Sequence, residues 1–597
     1  MKQKKKRLAM ALLSLTAVCA CLTLSGCEVT DLPVDPSADP TSTQAAPTTT
    51  TGTSGTQTSS SATTGTTAST PGGSMDLVDE QYTDGLSAIT EVELYENGEL
   101  SHRDSLVESH DNKVMYYTDT VKRVINYTDG YYIDIPTGWQ PDYSLSPIRS
   151  RYEDERSVLT VTKEEMIYAE GYDFFLEECF FRHIKNTEYL RNNNISMIKP
   201  SHTEQYGRYT AEYVHLRLED VEPGTLNYYD YCILYDPDDT TFFYFMLKSL
   251  DEPDLASIVE SFTQIETMGQ AVYNVSYTPT IPSNWSEETK AYYEQLCSQD
   301  EVDWGIFTNG LKNGSLDTVV PGFEEKTDYK LPVVADYIHL TEVFPTALAE
   351  QVSAEGRVFQ LSLQYTDTNN SMLNSRTTSL EVYRGHMDNR LRLIARQIKA
   401  YGKPMLFRLN NEMNTDWTSY GGLINLLDPD IFIAGWERLY TIFEEEGVDN
   451  CIWIFNPTSG SYPPCNWANY LNYMPPAEHV HMLGLTEYVS GHSGFPSFES
   501  LYGPMEEKYM PFFGEYPWII GEFACGTDDG TKLVEQATWV EEMFDCFERK
   551  EFPNIKVAVW FSGNDYNSDG TIRNNYEINQ NNPLLMEAFR DGFARTH

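Results

Sequence analysis

The chain has 597 residues, enough for more than one domain, and carries 89 acidic side chains against 42 basic ones, a formal net charge of −47. So acidic a surface excludes the nucleic-acid binders, whose affinity comes from Lys and Arg neutralising phosphates. It is compatible with an extracellular enzyme acting on a neutral polymer.

Residues 1–26 read as an export signal: a basic start through Lys2, Lys4, Lys5, Lys6 and Arg7, an apolar run from Leu8 to Leu24, and small residues leading to a cysteine. Leu24-Ser25-Gly26-Cys27 resembles the lipobox of bacterial lipoproteins. That resemblance implies cleavage before Cys27, its lipidation, and a protein anchored extracytoplasmically at a bacterial cell surface. Two or more acyl chains give a stable anchor where one would not. An ordinary secretory signal is the alternative. No later stretch approaches the ~20 apolar residues of a spanning helix. Of the ten cysteines, seven follow Cys27. Their odd number and irregular spacing fit neither a disulfide framework nor a metal site, so most are expected to be small buried apolar residues.

Residues 27–75 form a linker, almost pure Ser, Thr, Gly, Pro, Ala and Gln from Pro36 to Ser74, which cannot bury apolar area and is expected to be disordered. Residues 76–270 predict a smaller α+β domain. Its strands are 130–135, 158–161, 228–235 and 241–247, with helical patterns over 174–191 and 254–262. The run Tyr132-Ile-Asp-Ile-Pro-Thr-Gly-Trp139, with the ending Ile258-Val-Glu-Ser-Phe262, resembles the PsbP-like domains attached to bacterial lipoproteins. No catalytic constellation is visible there, and its many tyrosines are expected to serve core and cross-strand packing.

Residues 271–300 read as a linker with a short helix. From 301 to 597, apolar strands alternate with amphipathic helices. The strands are expected at 302–308, 331–337, 357–363, 405–411, 451–456, 480–488, 518–523 and 555–561, with helices such as 389–401 and 431–447 between them. Eight strands with interposed helices in this length predict a (β/α)8 barrel of the α/β class. An open doubly wound sheet is the alternative, but it usually brings a Gly-rich phosphate turn, and neither GxGxxG nor GxxxxGK occurs here.

Two of these strands end in a glutamate. Pro404-Met-Leu-Phe-Arg-Leu-Asn-Asn-Glu412 closes strand four, and Pro517-Trp-Ile-Ile-Gly-Glu522 closes strand seven. In a closed barrel those ends face each other across the mouth, where barrel enzymes place their chemistry. Retaining glycoside hydrolysis needs two carboxyls about 5–5.5 Å apart, one as nucleophile and one as acid and then base.

The arrangement resembles the retaining clan A glycoside hydrolases, and within them glycoside hydrolase family 26. The resemblance rests on Phe407-Arg408-Leu-Asn-Asn411-Glu412-Met-Asn414 with Trp417, on Ile452-Trp-Ile-Phe-Asn456-Pro457, on Ile520-Gly-Glu522-Phe523, on Val557-Ala-Val-Trp560-Phe561 and on the closing Pro583–Arg590. It implies that Glu412 is the acid/base (proton donor) and Glu522 the nucleophile. It further implies substrate-site roles for Arg408, Asn411, Trp417, Tyr488 and Trp560. Arg408 would hold Glu522 ionised and Tyr488 would donate to it. Asn411 would bind the sugar 2-hydroxyl, Trp560 would floor the −1 sugar and Trp417 a neighbouring subsite. Two departures touch the −1 subsite: Asn411 stands where the family usually has His, and Thr486 where it often has Asp. Mannan is therefore the first expectation, with β-glucan and xylan open.

The expected partner is a polysaccharide, acted on by a monomer without cofactor or metal. The rival expectation is a surface lipoprotein that captures glycan without cleaving it. Asp565-Tyr-Asn567-Ser-Asp569-Gly570 begins like a calcium loop, but position twelve is Tyr576 rather than an acid, so an Asp/Asn/Gly turn is expected.

Overall fold

The computed structural model describes residues 92–96, 99–104, 112–116 and 118–597, apart from 368–369, 493, 528–530 and 568–569. Cys27, the expected signal and the expected linker lie outside these residues.

Eight parallel strands close into a barrel, each paired with the next in sequence: β1 (Asp303–Thr308), β2 (Val333–His339), β3 (Val358–Gln364), β4 (Met405–Leu409), β5 (Cys451–Phe455), β6 (Met482–Val489), β7 (Trp518–Cys525) and β8 (Ile555–Ser562). The ring is sealed by β8 against β1, where Trp304 pairs with Ala558 and Ile306 with Trp560. Every expected barrel strand is present, displaced by at most two residues at either end. The unbroken apolar runs follow from burial on both faces, inward to the barrel core and outward to the helices. The helix Asp388–Tyr401 shows the complementary pattern. Leu391, Ile394, Ala395 and Ile398 lie on one buried stripe, and Gly402 ends it at φ 63°, a conformation only glycine adopts freely.

The base of the barrel is covered by the helix Glu287–Ser298, within the stretch expected to be a linker with a short helix. Its Tyr293 hydroxyl donates to His481 O at 2.9 Å, and Trp285, Tyr293 and Leu296 join the barrel core.

The chain before the barrel forms a seven-stranded antiparallel sheet, running from Gln140–Asp142 at one edge to Ile195–Tyr206 at the other, and a four-stranded sheet around Val121–Asn126 and Tyr131–Pro136. The two central strands of the large sheet, Tyr228–Tyr235 and Thr241–Ser249, divide their side chains by period two. Cys232, Leu234, Phe243, Phe245 and Leu247 face the small sheet and the helix Leu255–Glu260. Tyr229, Tyr231, Ile233, Tyr244 and Met246 face the helices of 172–192 and, beyond them, the barrel's own Leu423, Leu426, Leu427 and Trp467. The first unit and the barrel thus share one apolar cluster. Polar ties cross the same seam. Lys248 Nζ reaches Asp428 Oδ1 at 3.0 Å and Asp430 Oδ2 at 2.5 Å, and Arg151 reaches Asp430 at 2.8 Å. Glu164 accepts from the backbone N–H groups of Asn466 and Trp467 at 2.7 and 3.0 Å.

Asp428 also caps the helix Pro429–Glu446, accepting from Asp430 N, with Pro429 in its first turn. Immediately before it, Leu426 and Leu427 both have positive φ, 61° and 55°. Such a backbone costs a non-glycine residue of order 1–3 kcal/mol and persists only where its surroundings over-determine it.

After β8 a hairpin pairs Asn564–Tyr566 with Ile572–Asn575, and Asn574 Nδ2 donates to Asp565 Oδ2 at 3.0 Å. The Asp/Asn/Gly turn is expected between these strands; Ser568 and Asp569 lie outside the described residues. All seven cysteines beyond Cys27 are free, Cys297 exposed and the other six buried.

Candidate active site

β4 and the turn that follows it deliver Arg408, Asn411 and Glu412 to the barrel mouth. Arg408 lies on its inner face, fully buried, with its guanidinium spread over four acceptors: Ser362 Oγ (2.8 Å), Asn456 Oδ1 (2.9 Å), Tyr337 Oη (3.0 Å) and Glu522 Oε1 (2.6 Å). Burial by itself would lower the Arg408 pKa, but the Glu522 carboxylate and Tyr337 carry it above its ordinary value. The strand ends at Leu409. Asn410 and Glu412 then take positive φ, 48° and 58°, which turns the chain sharply over the mouth. The turn is held by Glu412 N–H donating to Asn456 O at 2.7 Å and by Thr415 Oγ1 donating to Glu412 O at 2.7 Å. A left-handed glutamate is an outlier of the kind that collects at active sites.

Glu522 reaches the same place by a different device. On β7, Trp518 faces outward, its indole N–H donating to Phe513 O. Alternation would make Gly521 an inner residue and Glu522 an outer one. Against β6, however, Leu485 pairs with Ile520 and Thr486 pairs with Glu522, so Gly521 is the extra residue of a β-bulge. The bulge turns Glu522 inward as well. Gly521 tolerates this because it has no side chain: a Cβ there would lie 2.5 Å from Asn456 Oδ1 and 2.7 Å from Arg408 Nη1.

Glu522 then accepts three hydrogen bonds. Arg408 and Asn411 Nδ2 (2.9 Å) donate to Oε1, and the Tyr488 hydroxyl donates to Oε2 at 2.8 Å. Glu412 is differently surrounded. The indole N–H of Trp417 donates to its Oε2 at 3.3 Å, and Trp417 packs against Tyr462 with ring centroids 4.8 Å apart. Burial, and next the charge of Glu522, push the Glu412 carboxyl up to about 8. Of the two carboxyls in this pocket, Glu522 is met by three donors, while Glu412 is favoured in its protonated form.

Six of the seven expected barrel-site residues come together: Glu412, Glu522, Arg408, Asn411, Tyr488 and Trp417 lie within one hydrogen-bonded network. Trp560 is a correction. Its indole N–H donates to Tyr576 O at 3.2 Å, and its ring packs on Phe523, Trp539 and Phe589 in the layer between barrel and helices. The aromatic residue of β8 that faces the site is its neighbour Phe561, with ring centroids 4.8 Å from Phe307 and 5.9 Å from Tyr488. A shift of one residue along a strand exchanges its two faces, which is why a Trp that stands out in the sequence misleads by one position.

Sequence reasoning passed over several members of the network. Tyr337, Ser362, Gln364 and Tyr420 all contact it: Gln364 Nε2 donates to Asn411 Oδ1 at 3.0 Å, and the Tyr420 hydroxyl to Asn411 O at 2.9 Å. Their signal is position, since they occupy inner places near the ends of β2 and β3 or the loop after β4. His339, at the end of β2, is 1% exposed; neither ring nitrogen has a hydrogen-bond partner among the described residues, and Nε2 lies 4.0 Å from Glu342 Oε2. Thr486 accepts from Asn456 Nδ2 at 3.0 Å, and Glu487, pushed up by burial, accepts from Ser459 Oγ at 3.2 Å.

Comparison with known proteins found a family model and several similar chains. Residues 332–505, spanning β2 to β6, match the family model of Glycosyl hydrolase family 26. Endoglucanase H of Acetivibrio thermocellus is 24% identical over 307 residues. That match covers 49% of this chain and 31% of the relative, so the chain spans about a third of the relative's length. Among solved structures, the catalytic domain of the Bacillus sp. JAMB-750 GH26 endo-β-1,4-mannanase is 14% identical, covering 53% of this chain and 92% of its own, with a TM-score of 0.40. The GH26 β-mannanase of Bacteroides ovatus is 12% identical, covering 51% and 92%, with a TM-score of 0.39.

Proposed function

We propose that the protein is a retaining endo-acting β-glycanase, with a β-1,4-linked mannan as its first substrate, held at a bacterial surface through lipidated Cys27. The observation that carries the reading is the pairing of a donor-solvated Glu522 with a Glu412 pushed up to about 8 partly by the charge of Glu522. In the first step Glu522 bonds to the anomeric carbon while Glu412 gives its proton to the departing glycosidic oxygen. Esterification removes the charge of Glu522, so the force raising Glu412 weakens and it becomes a base. Glu412 then takes a proton from water, the water oxygen bonds to the anomeric carbon, and Glu522 leaves as a carboxylate. Asn411, whose Nδ2 donates to Glu522 Oε1 at 2.9 Å, binds the 2-hydroxyl in this reading as positive charge develops on the ring.

A second substrate, β-glucan, is favoured by the likeness to an endoglucanase and by Asn411 in place of the family's usual His. The experiment is a panel of mannan, mixed-linkage glucan and xylan, followed by reducing-end release and product length. Short oligosaccharides of several sizes from one polymer support the reading. Tight binding to one polymer with no release from any would make the protein a glycan-capturing lipoprotein instead.

A further inference from the structure

The segment 410–428, between β4 and the helix Pro429–Glu446, touches the catalytic carboxyls at one end and the first unit at the other. At its start are Asn411, Glu412, Trp417 and Tyr420, all in contact with one another or with Glu522. At its end, the Tyr231 hydroxyl donates to Leu426 O at 2.8 Å, the Tyr189 hydroxyl donates to Ile424 O, and the Tyr229 hydroxyl donates to Asp428 Oδ2 at 3.1 Å. All three tyrosines are buried residues of the first unit. The carbonyls taken by Tyr189 and Tyr231 belong to Ile424, two residues before the pair of left-handed leucines, and to Leu426, the first of that pair.

Between the two ends the chain has little freedom. Asn425 N–H and Leu427 N–H both donate to Gly422 O at 2.9 Å, and Asn425 Nδ2 donates to Gly421 O at 2.8 Å. Gly421 and Gly422 are closely fitted: a Cβ would overlap Thr415 O in the first case and the Tyr473 hydroxyl in the second. A displacement of Leu426 therefore passes to Gly421 and on to Tyr420, whose hydroxyl holds Asn411 against Glu522. Leucine has no intrinsic preference for positive φ, so the conformation at 426–427 depends on what packs and bonds around it.

We propose that Tyr231 and Tyr189 are positioning residues: through the carbonyls of Leu426 and Ile424 the first unit fixes the loop that carries the acid/base. The first unit is thereby a working part of the active site, and a barrel without it would hold Glu412 and Asn411 in a looser geometry. The proposal rests on the glycosidase reading above.

The test uses the full chain with Tyr231→Phe, Tyr189→Phe and the double variant, each of which keeps the ring and removes the donor. On the polymer that the wild type cleaves, the double variant should lose about tenfold in kcat, since small misplacements of reacting groups are costly. KM should stay within about twofold, because the sugar-facing groups are untouched. The alkaline limb of kcat should move, since Glu412 would sit differently against Glu522 and Trp417. A lower Tm with unchanged kcat and limb, at a temperature where the variants are folded, would overturn the proposal and leave these tyrosines as seam packing. If the double variant does not fold, Tyr231→Phe alone decides by the same readouts. A wild type that cleaves no polymer overturns the glycosidase reading and this role with it; an active wild type with unaffected variants overturns this role alone.

Discussion

Arg408 Nη2 lies 2.6 Å from Glu522 Oε1, with side-chain exposures of 0% and 6%. Breaking a buried pair strands a charge, which costs about 3–5 kcal/mol, more than the pair contributes relative to an apolar replacement. Arg408→Lys keeps the charge but loses the planar fork that reaches Ser362, Asn456, Tyr337 and Glu522 together. It should reduce kcat/KM by about a hundredfold or more, with Arg408→Met also lowering Tm by several degrees. Steady-state kinetics and calorimetry check both. Normal turnover in Arg408→Lys would mean that Glu522 does not depend on its fork.

The general acid must carry its proton when substrate arrives. With Glu412 at about 8, kcat/KM should hold through neutrality and fall as pH rises through about 8. Removing the neighbouring charge in Glu522→Gln should move Glu412 downward, read directly by NMR titration of labelled carboxyl carbons. An unmoved Glu412 would leave burial as the sole cause of its shift.

The faces of β8 separate two aromatic roles. Trp560→Ala should cost about 3–5 kcal/mol of stability, as expected for a large ring removed from a packed layer. Phe561→Ala should act mainly on kcat and KM, because its ring adjoins Tyr488 at the site. Chemical denaturation beside kinetics decides. If Trp560→Ala were the variant that lost substrate affinity at unchanged stability, the face assignment would be reversed.

The barrel was legible because its strands are buried on both faces and so stand out as apolar runs, each closed by a polar turn. The carboxyls were legible for the same reason: Asn410–Glu412 and Glu522 interrupt apolar runs. What was not legible is geometry that alternation cannot express. The bulge at Gly521 reverses the face of Glu522, and the period-two rule gives Trp560 and Phe561 opposite faces without saying which is inner. The edge strand Ile195–Tyr206 was invisible because most of it is exposed and polar. The seam with the first unit was hidden because its tyrosines look like ordinary sheet residues until the barrel loop that they grip is in place.

The seam also predicts a pH effect on stability. Glu164 is buried there, and burial pushes its carboxyl up to about 7, against the pull of the N–H groups of Asn466 and Trp467 and of Thr162. Its folded value lies above its unfolded one, so its stabilising contribution is complete below about pH 4.5 and is lost as pH rises through about 7. The loss is of order 3 kcal/mol. Tm should fall across this window, and Glu164→Gln should flatten the decline. An identical slope in the variant would contradict this.

The central claim is that Glu522 forms a bond to the sugar and Glu412 serves it twice. Proton NMR during the first minutes of polymer cleavage, before mutarotation, reads the configuration of the new reducing end directly. The account predicts the β-anomer first, by two inversions. An α-anomer appearing first would mean a single displacement by water, and Glu522 could then not be the nucleophile.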